Sequence, residues 1–235
     1  MSGNNGGGPG RWQGPTVDCW EMPVPRMPVV AAPAPSYAVQ LAHLVALAAD
    51  GLIDPGALTV LEGLRSAADD AEAQAYGDDR IPVIAVVTAG ALATPDAMAR
   101  VVARGRAGRV DMNPLQPADF SPIAGVEVPG PAYLLVDVDL GARFRAVTPE
   151  AALRAITEEG RTPLTIDEGV SLLVQVPDAL VARTAFSLLA SRRGDQRVPA
   201  LWTSAGAPRL GWCWDRNPHS WLGSASAALR VGPPS

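Results

Sequence analysis

Lysine is missing from this chain: all 19 basic residues among its 235 are arginines. That absence excludes Schiff-base chemistry, a pyridoxal-phosphate lysine and the lysine of a phosphate-binding P-loop. Cysteine and histidine occur twice each, as Cys19, Cys213, His43 and His219. Two distant cysteines make no disulfide framework, and so few nitrogen and sulfur donors fall short of a zinc ligand set. No metal and no cofactor are therefore expected. A net charge of −5 lacks the basic surface that displaces nucleic-acid counterions, so nucleic acid is not an expected partner. No apolar run approaches the ~18 residues that cross a bilayer. The N-terminus has no basic stretch followed by an apolar one, so neither a secretory signal nor a membrane partner is expected; a cytoplasmic location is the default. Neither Gly-x-Ser-x-Gly nor His-Glu-x-x-His occurs, which removes two hydrolase signatures.

Glycine and proline are plentiful, at 23 each. Residues Met1 to Pro35 are rich in both, have no period of 2 or 3.6, and read as a disordered tail. Trp12, Cys19 and Trp20 sit oddly in such a tail. A single α+β domain is expected from Ser36 onward. Its lead-in, residues 36–76, reads as a helical hairpin with Ser36 as N-cap, Gly51 as C-cap and Asp54-Pro55 opening the second helix. The main body spans 81–231. Ile81 to Val87 and Tyr133 to Val138 are apolar, β-branched strands. Thr94-Pro95 opens a helix expected to reach Arg104. The arginines at 100, 104, 106 and 109 then read as its solvated end, with an anion contact as the alternative. Thr148-Pro149 opens another helix, and Thr165-Ile-Asp-Glu168 is a capping box. Short strands at Phe186 to Ala190, Val198 to Thr203 and Leu210 to Trp214 suggest a meander, with Gly194-Asp195 at a hairpin tip. The expected fold is N-terminal helices on a mixed, mostly antiparallel sheet ending in a C-terminal β-meander.

Aromatic residues are only 5% of the chain, yet four of the six tryptophans fall between Trp202 and Trp221. Cys213 and His219 lie in the same stretch. As core, the indoles fill volume that an alanine-rich chain otherwise lacks; as a site, they wall a pocket. The ligand-binding candidates are Trp202, Arg209, Trp212, Trp214, Asn217 and Trp221, with Arg161 as a clamp for a carboxylate or phosphate. The catalytic candidates are His219 as general acid/base, Asp137 or Asp139 as its carboxylate, and Cys213 as nucleophile. Alternation along a strand puts Trp212 and Trp214 on one face and Cys213 on the other.

Five blocks carry a resemblance. They are Pro-Ala-Tyr-Leu-Leu-Val-Asp-Val-Asp at 131–139, Gly-Arg-Thr-Pro-Leu-Thr-Ile-Asp-Glu-Gly at 160–169, and Ser-Arg-Arg-Gly-Asp-Gln-Arg-Val-Pro-Ala-Leu-Trp at 191–202. Leu-Gly-Trp-Cys-Trp at 210–214 and Asn-Pro-His-Ser-Trp-Leu-Gly at 217–223 complete the set. Together they resemble an uncharacterised bacterial domain-of-unknown-function family, number 5701, best matched over 131–223. The resemblance implies no activity. The expected function is binding of a small molecule or a partner protein through the tryptophan-rich segment. The alternatives are an enzyme built on His219 and a structural scaffold.

Overall fold

The structure is a computed structural model that describes residues 34–77, 79–180 and 185–233. The expected tail, with Trp12, Cys19 and Trp20, lies outside the described residues except at its last two positions.

Helices α1 (Tyr37–Ala49), α2 (Pro55–Gly63) and α3 (Arg65–Glu72) open the fold. Asp54 caps α2 by accepting the Gly56 N–H at 2.7 Å. Ser36 precedes α1 without a side-chain capping bond; the Tyr37 N–H goes instead to Glu72 at 2.5 Å. The second expected helix breaks at Leu64, giving α2 and α3. Tyr37, Leu41, Leu44 and Leu47 form the buried face of α1. Strand β1 (Arg80–Val87) follows. Its edge away from β6 is closed by the buried Gln40, whose amide donates to the Val83 carbonyl and accepts from the Ala85 N–H, both at 2.9 Å.

Helix α4 (Thr94–Arg100) ends earlier than expected, because Val101 is extended. Beyond it β2 (Val102–Ala103) and β3 (Arg106–Ala107) pair antiparallel. Arg104 and Gly105, at φ 51 and 73, make the turn between them. The basic run is thus a hairpin rather than a helix end. Strands β4 (Arg109–Val110), β5 (Ser121–Pro122) and β6 (Ala132–Asp139) lead to α5 (Pro149–Glu158), β7 (Thr162–Pro163) and α6 (Ile166–Gln175). The chain closes with β8 (Ala185–Ser187), β9 (Ser191–Arg192), β10 (Arg197–Ser204), β11 (Ala207–Trp214), β12 (Leu222–Ser224), β13 (Ser226–Ala227) and β14 (Leu229–Val231).

The fold is α+β and its strands are mostly antiparallel; among the described residues β2-β3 and β5-β9 form separate two-stranded pairs, and the ten others divide between two five-stranded sheets. The first runs β1-β6-β13-β7, with β14 also on β6; the second runs β12-β8-β10-β11-β4. Pairing of β8 with β10 and of β10 with β11 is the antiparallel meander, to which β12 and β4 add parallel edges. Ala205 and Gly206, both at positive φ, turn the long β10–β11 hairpin as a two-residue loop requires. Strand β9 pairs with β5, so Gly194-Asp195 is not the tip of a two-strand hairpin; Asp195 instead holds the Arg197 N–H and guanidinium at 2.9 and 2.7 Å.

Helix α6 is the pivot. It is buried at every position except Asp167. On one side the Ser171 hydroxyl donates to the Val87 carbonyl and accepts the Val87 N–H, each at 3.1 Å. On the other, a Cβ at Gly169 would stand 2.3 Å from Leu188 and 3.0 Å from Leu201 of β10. Only glycine lets the second sheet approach so closely. Among the described residues no helix is long and apolar enough to cross a membrane.

Candidate functional site

The tryptophan-rich segment folds as the β10–β11 hairpin and the turn after it, and strand alternation separates its rings. Trp212 and Trp214 share one face of β11, 5.1 Å apart and edge to face. The Arg197 guanidinium lies over both rings, at 4.7 and 5.1 Å from their centroids. Trp212 packs against the main core, whereas Trp214 is 45% exposed. Trp202 belongs to the opposite face. A side chain at Gly211 would meet its indole at 2.2 Å. It packs with Trp221 and Cys213 against Ala185, Ala200 and Leu222. Trp202 pairs in register with Arg209, a buried residue that donates to Asp111 at 3.3 Å. Asn217 is exposed in the turn after β11. The tryptophans therefore form two clusters, one on each face of the hairpin.

His219 lies beside Trp221, with ring centroids 5.2 Å apart and planes tilted by 49°. Its backbone carbonyl takes the Ala146 N–H at 2.9 Å. Among the described residues its ring nitrogens have no hydrogen-bond partner. Burial lowers its pKa, favouring the neutral imidazole. Cys213 points away from Trp212 and Trp214, 3.9 Å from the Ser187 hydroxyl. Burial pushes its thiol up to about 11, so it is not a thiolate near neutral pH. Among the described residues the thiol's side-chain partner is Ser187, and no imidazole is bonded to it.

Asp137 and Asp139 are engaged elsewhere, by arginines. Arg80 spans both Asp137 oxygens at 3.0 Å, and Arg161 reaches one of them at 2.6 Å. Arg161 also donates to the Asp137 carbonyl at 2.5 Å and to the Ser226 hydroxyl at 3.0 Å. These bonds hold Asp137 in a left-handed backbone conformation, φ 55, where aspartate is better tolerated than most side chains. Asp139 accepts the Gly141 N–H at 2.7 Å and faces Arg80 and Arg143 at 3.7 Å. Arg143 in turn grips Glu159. Both aspartates thus belong to a network of guanidinium and carboxylate groups that ties β6 to β1, β7 and β13. Among the described residues no three His, Cys, Asp or Glu side chains gather as a metal-binding group.

The head of α6 holds two further carboxylates. Thr165 accepts the Glu168 N–H at 3.3 Å and Glu168 accepts the Thr165 N–H at 2.7 Å, completing the expected capping box. Glu168 does more than cap. One oxygen takes the Tyr133 hydroxyl at 2.8 Å and the Arg230 Nε at 2.5 Å; the other takes Arg230 Nη2 at 2.9 Å. Its side chain is fully buried and Arg230 is 8% exposed. Arg230 also donates to the Pro163 carbonyl at 2.8 Å and to the Thr162 hydroxyl. Sequence reading identified the cap but not Tyr133 or Arg230, which lie 35 and 62 residues away from Glu168.

Asp167 faces outward, into a cavity of about 310 Å³. The walls come from the loop between β1 and α4, from residues 116–128, and from the first turn of α6. Phe120, Ile166, Pro117 and Val128 make them largely apolar, while Thr94, Thr165 and Ser191 add hydroxyls. One Asp167 oxygen accepts the Ala89 N–H at 3.1 Å. Burial raises its pKa, partly offset by that N–H and reinforced by the neighbouring Glu168 charge. The Ser191 hydroxyl accepts the Ile166 N–H at 2.9 Å, fixing the first turn of α6 to the cavity floor. Among the described residues no tryptophan lines this cavity. The capping box located Asp167 on a first helical turn; only tertiary packing places it in a concavity.

Comparison with curated proteins and with solved structures finds no match. A family model described as a family of unknown function, DUF5701, matches residues 43–233. With its matched span covering most of the chain, the protein belongs to that family.

Proposed function

We propose that this chain is a non-catalytic binding protein that takes a small molecule into the cavity at the head of α6. One observation carries the reading: Asp167, the only unburied residue of α6, presents its carboxylate to a largely apolar cavity of about 310 Å³. Apolar walls with a few polar groups at fixed positions are the usual make-up of a small-molecule site, and the volume is at the lower end of such sites. The Trp212–Trp214 pair under Arg197 supports a second reading, recognition of a partner protein. Tryptophan and arginine are enriched where interfaces gain most of their energy, and Trp214 is 45% exposed. An enzyme built on His219 has less support, because neither Asp137, Asp139 nor Cys213 engages its ring.

A nuclear magnetic resonance titration with a fragment library tests the first reading. Shifts concentrated on the amides of Ala89, Ile166, Asp167 and Ser191 are expected. Shifts confined to Trp202, Trp212, Trp214 and Trp221 would return recognition to the C-terminal segment.

A further inference from the structure

The cavity's charge balance narrows its ligand. This step rests on the binding reading above. Among the described residues that line the cavity, Asp167 alone is formally charged. Two neighbouring basic side chains among the described residues are already committed. Arg230 is locked on Glu168, and Arg192, next to the lining residue Ser191, pairs with Asp215 at 3.2 Å. The positive end of α6, which would otherwise draw an anion, is answered within its own first turn by Asp167 and Glu168. A ligand carboxylate or phosphate would meet an uncompensated negative charge there. A neutral apolar ligand would leave that carboxylate desolvated without a donor, which is costly.

We infer that the cavity binds a small primary ammonium compound, its charged head on Asp167 and its apolar body against Phe120, Ile166 and Val128. Asp167 has accepting capacity to spare, since an ionised carboxylate accepts about four hydrogen bonds and the Ala89 N–H supplies one of them. Hydroxyls of Thr94, Thr165 and Ser191 lie in the same lining and offer further acceptors to a three-proton donor. The raised pKa of Asp167 is in keeping with this: the charged carboxylate is costly when the cavity is empty, and a cation offsets that cost.

Three probes sharing a cyclohexyl body test the inference on the full chain: cyclohexylmethylammonium, cyclohexylmethanol and cyclohexanecarboxylate, titrated calorimetrically into wild type, Asp167→Asn and Val128→Arg. Val128 is 37% exposed on the cavity lining, so arginine there changes the charge without disturbing the core. The ammonium probe is expected to bind wild type more tightly than the alcohol by about tenfold or more, the size of one charge-assisted hydrogen bond. Either substitution should abolish that preference, and the carboxylate should bind only to Val128→Arg. Equal binding of amine and alcohol, unchanged in Asp167→Asn, would overturn the ammonium assignment and leave the binding reading standing. Failure of all three probes to bind folded wild type would overturn both.

Discussion

Glu168 and Asp167 are neighbours on one helical turn, yet they occupy opposite kinds of surroundings. Glu168 is saturated: Arg230, Tyr133 and the Thr165 N–H account for both of its oxygens in a fully buried setting. Among the described residues Asp167 accepts one backbone N–H, and it faces open volume. The contrast separates a carboxylate used for architecture from one left available. A buried, fully paired carboxylate fixes where segments meet; β14, β7 and β6 converge on Glu168 through Arg230, Thr162 and Tyr133. A half-buried carboxylate with spare accepting capacity, and no cation on it among the described residues, invites a ligand. Helix position alone would have treated the two alike, since both complement the same macrodipole.

The sharpest way to break this comparison is Arg230→Met. Removing one partner of a buried ion pair leaves the other uncompensated, and the expected loss is ~3–5 kcal/mol in denaturant unfolding. A loss no larger than that of Asp167→Asn would show that Glu168 is not the structural member of the pair. Next in size is Gly169→Ala. The added Cβ would stand 2.3 Å from Leu188, at the tip of a side chain, but also close to Leu201, so only part of the clash can relax. Overpacking of this kind costs about 1–3 kcal/mol, and melting temperature measures it. Thr165→Ala removes one acceptor of the capping box and should cost ~1 kcal/mol. Since Glu168 keeps its bonds to Arg230 and Tyr133, the effect should stay well below that of Arg230→Met.

The elements legible in the sequence were those written in local signals. Thr165-x-x-Glu168 is a capping box in the structure, Asp54-Pro55 starts a helix, and the apolar runs at Ile81 and Tyr133 are paired strands. The division of α2 from α3 at Leu64 directly follows Gly63, a weak helix former with no other breaker beside it. The two sheets were hidden because β12, β13 and β14 have two or three residues each and draw their hydrogen bonds from distant strands. The site was harder still. Composition drew attention to the tryptophans, whose separation onto two faces follows from the β10–β11 register. Asp137 and Asp139 looked available because their partners, Arg80 and Arg161, come from other strands and turns. The cavity is assembled from residues 89–95, 116–128, 165–167 and 191, and no pattern within any one of these stretches announces a concavity.

The smallest expected effect is the most discriminating, because its sign depends on pH. Burial raises the folded-state pKa of Asp167 above the unfolded value of about 3.9. The fold therefore favours the protonated form. That contribution is complete below the unfolded pKa and is lost as pH rises through the folded one, so at neutral pH the charged carboxylate is a net cost when the cavity is empty. Asp167→Asn keeps an acceptor for the Ala89 N–H and removes the titration. Thermal unfolding across pH 3 to 7 should find the variant close to wild type in acid and gaining on it above about pH 4. Glu168→Gln should behave differently, losing stability at neutral pH because it leaves Arg230 without its carboxylate. If Asp167→Asn instead loses ground as pH rises, its carboxylate already has a cationic partner in the empty protein, and the distinction between the two neighbours would disappear.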